Sequence, residues 1–341
     1  MNAGVPTAPP DGDLDAVRLQ AEEHPLIEDD PPTTPAEHCL RLMHLRAYDE
    51  AVAHATGRDV LDVGCNTGYG TIRFVPVASR VVGVDVSERA IEAARRRAPD
   101  GRPEFIATDG FDLPFADASF DLVTSFQVLE HVPDPRPYLA EIRRVTRPGG
   151  TVILATPNAA TRLDPGMTPW NRFHVREYVA TELATLLEGT FSRVRIQGMF
   201  GAPTLYETEI RRVNAARQRI RRKLVVDRHR TSADARPIPA RSGPPVRATS
   251  ARPRSLPIRL ARAMTPSMVR RWLREMVATA PATHPTTPVT APAGGTEAGP
   301  DASLDAGMSF ETFLAFTVAD LFYADHDLDR AMALVAICEV G

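Results

Sequence analysis

The run Val60-Leu-Asp-Val-Gly-Cys-Asn-Thr-Gly-Tyr-Gly70 constrains this chain more than any other stretch. Its apolar opening reads as a buried parallel strand. Asp62 stands near the strand's end, and Gly64, Gly68 and Gly70 make a tight turn into a helix beginning near Tyr69. Glycines at such a turn let a ligand approach bare backbone. In an open α/β sheet, the turn at the carboxyl end of the first strand is where a nucleotide-like ligand sits.

Two ligand classes compete for that turn. The spacing Gly64-x-x-x-Gly68-x-Gly70 also fits one class of dinucleotide-dependent dehydrogenases. A carboxylate at Asp62 would repel a pyrophosphate, which prefers backbone N–H groups and positive charge. That reading also needs a Tyr-x-x-x-Lys pair, and the sole lysine, Lys223, has Arg219 four residues before it. S-adenosylmethionine carries an ammonium and a sulfonium and no phosphate, so Asp62 suits it. Asp85, ending the apolar run Arg80-Val-Val-Gly-Val-Asp85, lies a little over twenty residues beyond Asp62, at the spacing used to bind ribose hydroxyls. Ser87 then caps a helix through Ile91 and Ala94.

From these motifs the chain resembles the class I S-adenosylmethionine-dependent methyltransferases, in particular their small-molecule, ubiquinone-biosynthesis-like group. The resemblance covers residues 36–200 and resumes at about 318–340. The family's Asp/Glu-x-Gly-x-Gly-x-Gly motif appears as Asp62-Val-Gly64-Cys65-Asn66-Thr-Gly68, with Asn66 replacing the middle glycine. Asparagine tolerates unusual backbone angles, so the turn survives. The resemblance implies a Rossmann-like α/β fold, a seven-stranded, mostly parallel sheet of order 3-2-1-4-5-7-6 flanked by helices. It implies that Asp109 accepts the adenine amino group and that Gly110 offers backbone to the ring. Gln127, after the fourth strand Ala118–Phe126, faces the donor. The expected cofactor-binding set is Asp62, Gly64, Cys65, Asn66, Gly68, Asp85, Val86, Asp109, Gly110 and Gln127. Plainer readings exist: Asp85 could cap the next helix, and Asp109-Gly110 could be only a turn. Pro148-Gly149-Gly150 reads as a turn.

Four segments are expected. Residues 1–35 form a Pro- and acid-rich tail read as disordered. The methyltransferase domain covers 36–204 and opens with a helix from Ala36 to about Thr56, on which Arg46 and Tyr48 could reach the cofactor. Residues 205–308 form an arginine- and proline-rich insertion, partly helical (Tyr206 to Val226, Ile258 to Met276) and partly disordered. Residues 309–341 complete the sheet with the strand Ala331–Glu339, placed between the fifth and sixth strands. Without that return, the strand at Ser192–Gly198 would be left unpaired.

Methyl transfer is an in-line displacement, so the protein has to hold a nucleophile behind the methyl and exclude water. For a hydroxyl nucleophile, histidine is the natural base. His131, just after strand four, and His174, in the segment after strand five, are the catalytic candidates. Either could instead only brace a loop. The chain lacks the Asn/Asp-Pro-Pro-aromatic motif of amino-methylating DNA enzymes and a Pro-Cys nucleophile, so nucleic-acid substrates are disfavoured. No tightly spaced metal ligands are apparent. The expected function is S-adenosylmethionine-dependent methyl transfer to a small-molecule acceptor, O-directed, such as a natural product, a quinone or a glycan sugar. A non-catalytic scaffold that binds the donor and recruits a partner through its basic insertion is the alternative.

Composition agrees. Cys39, Cys65 and Cys338 have no paired spacing, which suits a reducing cytoplasm. No apolar stretch reaches membrane-spanning length, and no secretory signal is visible. Between Arg211 and Arg274 the only acids are Asp227 and Asp234, so the insertion could touch an anionic surface. A single lysine beside many arginines points to GC-rich codons and a bacterial source.

Overall fold

The computed structural model describes residues 23, 26–27, 30–98, 100–233 and 308–341. Two compact units result, one of residues 1–217 with 304–341 and one of residues 218–303. In the second unit the described residues are 218–233, all helical. The helix read at Ile258–Met276 and most of the tail read at 1–35 lie outside the described residues.

The first unit is built on one eight-stranded sheet of order β3-β2-β1-β4-β5-β8-β6-β7. Strands β1 (Asp59–Val63), β2 (Arg80–Asp85), β3 (Glu104–Ala107), β4 (Phe120–Phe126) and β5 (Thr146–Pro157) run parallel. The returning strand β8 (Ala333–Glu339) lies between β5 and β6 (Arg193–Gly201), antiparallel to both, with Ala336 opposite Leu154 on one side and Ile196 on the other. That insertion is the one the sequence led us to expect. The strand count differs: β7 (Leu321–Ala324) pairs antiparallel with β6, Gly201 opposite Leu321, and adds an eighth strand at the edge. Four residues with Phe322 half-exposed carry too little alternation to signal a strand, and a short edge strand is one way to blunt an open sheet.

Successive strand residues face opposite layers, and the core divides accordingly. Leu61, Val63, Val123, Leu154 and Leu334 pack in one layer, where Leu139 and Ile142 of α3 (Pro135–Val145) and Leu183 and Leu187 of α5 (Ala180–Glu188) meet them. Val60, Leu122, Ile153 and Val335 face the other, under Leu42, Met43 and Tyr48 of α1 (Pro35–Val52). Helix α1 starts where Thr34 accepts the Glu37 N–H at 3.1 Å and Pro35 occupies the first turn. In α2 (Glu88–Arg97), Ser87 accepts the Ala90 N–H at 3.2 Å, Glu88 lies in the first turn and three arginines lie in the last. Asn158 caps the short α4 (Ala159–Arg162). Beyond β6, α6 (Pro203–Ala233) begins with Leu205, Glu209 and Val213 buried in the first unit. The four-residue α7 (Phe310–Phe313) buries Phe313.

Candidate active site

Every strand-end motif opens onto the carboxyl edge of the parallel strands. After β1 the chain turns through Gly64 at φ +80°, Asn66 at +49° and Gly68 at +72°. A Cβ on Gly64 would lie 2.3 Å from Val128 Cγ2, and one on Gly68 would lie 2.4 Å from the Phe105 ring. Both positions therefore need glycine for shape and for backbone angle. Asn66 survives at positive φ because its side chain accepts the N–H groups of Thr67 and Ile27, each at 2.9 Å. Thr67 donates its hydroxyl to the Ile27 carbonyl, so Ile27, ahead of α1, is tied to the glycine loop.

Asp62 lies beneath this loop and is fully buried. Its Oδ2 accepts from Tyr48 at 3.0 Å and Thr71 at 2.6 Å, and its Oδ1 accepts from Thr124 at 2.8 Å. Burial pushes its carboxyl up to about 6, against the pull of the three hydroxyl donors. Gly70 is the reason Tyr48 can reach: a Cβ there would lie 2.0 Å from the tyrosine ring. Tyr48 is thus a buried donor to Asp62, while Arg46 donates to the Leu321 carbonyl, pairs with Glu50 and stacks over Tyr323. Thr124 faces Asp62 in the β1–β4 register; its polarity within an apolar strand was the available signal for it. Cys65 turns into the core against Phe105 and Ile91, and its N–H donates to the Val84 carbonyl. It shapes the loop and presents no side chain to a ligand.

Asp85, at the end of β2, accepts the Asn66 N–H on Oδ2 and the Ser87 N–H on Oδ1, each at 2.9 Å. It joins the glycine loop to the start of α2. Next to it, a cleft is lined by Val86, Glu88, Ala107, Asp109, Asp112 and Pro114. Asp109 Oδ1 accepts the N–H groups of Phe111 and Asp112, and Gly110 sits at φ +82° with Val86 packed against it. The loop is therefore a side-chain-capped turn whose carboxylate borders the cleft.

Directly after β4, Gln127 holds φ +57° and donates its N–H to the Ala155 carbonyl at 2.7 Å. It borders a second, mostly apolar cleft with Leu40, Met43, Phe126, Met199 and Met332. The polar members of this cleft are His44, Arg162, Glu209 and Arg212. The charged ones are partnered: Glu209 takes a bidentate pair from Arg212 at 2.7 and 2.6 Å, and Arg162 takes one with Glu177 at 2.8 and 3.1 Å. Both arginines lie over the Trp170 ring, Arg162 at 4.3 Å and Arg212 at 5.5 Å from its centre.

The two histidines singled out in the sequence meet. Their rings cross edge to face at 4.9 Å. His131 Nδ1 donates to the Phe173 carbonyl at 2.8 Å, and His174 Nδ1 donates to Glu177 Oε1 at 2.6 Å. Burial holds the His131 imidazole below its usual range, favouring the neutral ring. Beside them lies Glu130, 1% exposed, with Thr156 donating to its Oε2 at 3.0 Å. Burial lifts the Glu130 carboxyl to about 7. Sequence reasoning passed over Glu130, Glu177 and Arg162, because their partners are distant in the chain.

With this geometry in view, comparisons with known proteins agree. Residues 61–154 match the family model described as "Methyltransferase domain". A "Probable S-adenosylmethionine-dependent methyltransferase" of Mycolicibacterium smegmatis is 40% identical over 170 residues, 49% of this chain and 65% of its own length. A demethylmenaquinone methyltransferase of Clavibacter sepedonicus is 41% identical over 109 residues, 32% of this chain and 44% of its own. The chain thus spans less than two thirds of these relatives. Among solved structures, the YcgJ protein of Bacillus subtilis is similar at 20% identity, covering 51% of this chain and 81% of its own with a TM-score of 0.39.

Fold and motifs together define a nucleotide-type α/β domain with an acid at the end of each of its first three strands. Residues 61–154 match a methyltransferase domain, and the chain is similar to S-adenosylmethionine-dependent methyltransferases, a similarity that implies S-adenosylmethionine as the cofactor.

Proposed function

We propose that this protein moves the methyl group of S-adenosylmethionine to a hydroxyl of an apolar small-molecule acceptor. The observation that carries the reading is the pair of clefts at the carboxyl edge of the sheet: one beyond β2 and β3, lined by Val86, Ala107 and Asp109, the other beside Gln127 after β4, lined mostly by apolar side chains of α1, β4, β5 and β6. The donor would lie along the glycine loop, with its ribose toward Asp85 and its adenine between Val86 and Asp109. Its cationic end would face the buried Asp62. Cys65 contributes to this site only through loop shape.

The acceptor would occupy the cleft under α1 and α6. Its apolar lining excludes water and favours a hydrophobic ring or chain. His131 follows Gln127 closely in the chain, His174 packs against the His131 ring, and the orientation of each ring is fixed through its Nδ1. Such a pre-oriented imidazole can take a hydroxyl proton as the methyl transfers. The demethylmenaquinone name of one relative fits an apolar acceptor of this kind.

The test is incubation of the purified chain with methyl-labelled donor and a panel of hydroxylated quinones, aromatic natural products and sugars. The reading predicts label in an apolar hydroxylated product. Donor binding with no transfer to any of them, unaltered by His131→Ala or His174→Ala, would favour a donor-binding scaffold instead.

A further inference from the structure

We propose that Glu130, His131 and His174 form a binding site for one divalent transition-metal cation of the zinc class. One ligand atom from each, Glu130 Oε1 and a ring nitrogen of each histidine, can be chosen so that all lie within 4.8 Å of one another. No compact motif announces the set, since two ligands are adjacent after β4 and the third lies past β5.

Three observations make this more than a cluster of polar groups. First, Glu130 Oε1 is buried and accepts no hydrogen bond, although its residue is 1% exposed. A buried carboxylate oxygen without a donor is costly, and a cation at that point would satisfy it. Second, both rings are held in the tautomer that a metal requires. A carbonyl can only accept, so His131 Nδ1 bears the proton given to Phe173. Likewise His174 Nδ1 bears the one given to Glu177. The lone pair of each neutral ring is then on Nε2, and His131 Nε2 faces Glu130 Oε1 at 4.0 Å. Outer partners of this kind, a carbonyl, a carboxylate and the Thr156 hydroxyl on Glu130 Oε2, are what orients metal ligands. Third, the backbone fixes the two segments together. The Glu130 carbonyl accepts the N–H groups of Val175 at 2.8 Å and Arg176 at 3.2 Å, and Asn158 bridges to Tyr178.

Two imidazoles with one carboxylate favour Zn²⁺, Fe²⁺ or Co²⁺ over Mg²⁺ and Ca²⁺, which take all-oxygen shells. Ligand atoms around tetrahedral zinc sit about 3.4 Å apart. The 4.0 Å between His131 and Glu130, and separations of up to 4.8 Å within the set, would contract when a cation binds. The remaining coordination positions are left to water or to an oxygen of a bound molecule. With a cation in place, the histidines would act on an acceptor oxygen through the metal and not as free bases.

The experiment is titration of the chelator-treated full chain with Zn²⁺ by calorimetry, and with Co²⁺ by visible absorption, with Mg²⁺ as the contrast. One equivalent of Zn²⁺ and of Co²⁺ should bind, with imidazole-type Co²⁺ bands and no competition from Mg²⁺. Glu130→Gln and His174→Ala should each weaken binding at least tenfold, and Glu177→Gln should weaken it about tenfold through the outer shell. Should a variant fail to melt cooperatively, the wild-type chain decides by NMR: Zn²⁺ should perturb two of the nine histidine rings. No stoichiometric uptake, uptake unchanged in the folded variants, or perturbation of other histidines would overturn the site. None of these readouts involves methyl transfer, so their failure leaves the proposed function untouched.

Discussion

Asp62 is a single carboxylate on which both the fold and the cofactor make a claim. Burial raises it to about 6, while hydroxyls of Tyr48, Thr71 and Thr124 hold it in place. In the cofactor-free chain the sign is that of a raised acid. The protonated native form contributes stability that is fully present below the unfolded value near 3.8 and is lost as pH rises through about 6. Urea melts of the free protein should show this contribution, on the order of 2–3 kcal/mol, fading between pH 4 and 6 and missing from Asp62→Asn. With the cofactor's cationic end against Asp62, as proposed, binding would select the ionised form, so affinity should move the other way. Calorimetric Kd values for S-adenosylmethionine should weaken about tenfold per pH unit below 6 and stay flat above it. Tyr48→Phe removes one donor to Asp62 and should cost about 1–3 kcal/mol in the melt without altering the fold. The residue scale is also where sequence reading stops earliest. Asp62, Asp85 and Asp109 were legible because each ends an apolar strand at a fixed interval. Tyr48 and Thr124 were not legible as partners of Asp62, because their contacts exist only once β1, β4 and α1 are packed.

At the scale of elements, the glycine loop is the most constrained piece. Gly68→Ala meets both a φ of +72° and the Phe105 ring 2.4 Å from the new Cβ. It should destabilise the protein by at least about 1–3 kcal/mol and abolish donor binding, measured by melt and calorimetry on the same sample. The parallel strands and their capped helices were readable because local rules decide them: an apolar run, an acid, a Ser or Thr cap. Strand β8 was readable from the pairing that β6 would otherwise lack. Strand β7 was not, since four residues at an edge with one exposed aromatic carry no periodic signal. The segment from Asn171 to Tyr178 shows the same limit. Its His174 was marked by residue type, but its meeting with Glu130 and His131 follows from the backbone hydrogen bonds of Val175 and Arg176 to the distant Glu130 carbonyl.

For the molecule as a whole, the chain leaves the first unit along α6, after residue 217, and must return to place β8 in the middle of the sheet. That order separates two truncations. A chain stopped after residue 303 loses β7 and β8, leaves β6 unpaired and one edge of β5 open, and should not melt cooperatively. Replacing residues 234–303 by a short Gly/Ser linker keeps every described strand and should retain a cooperative melt and donor binding. The same sheet sets the central claim, that its carboxyl edge is built for a cationic, phosphate-free nucleoside. The most direct measurement is calorimetry of the purified chain with S-adenosylhomocysteine and, separately, with NADH. The account predicts one site per chain for the first and no heat with the second. Uptake of the dinucleotide with silence toward S-adenosylhomocysteine and S-adenosylmethionine would contradict it.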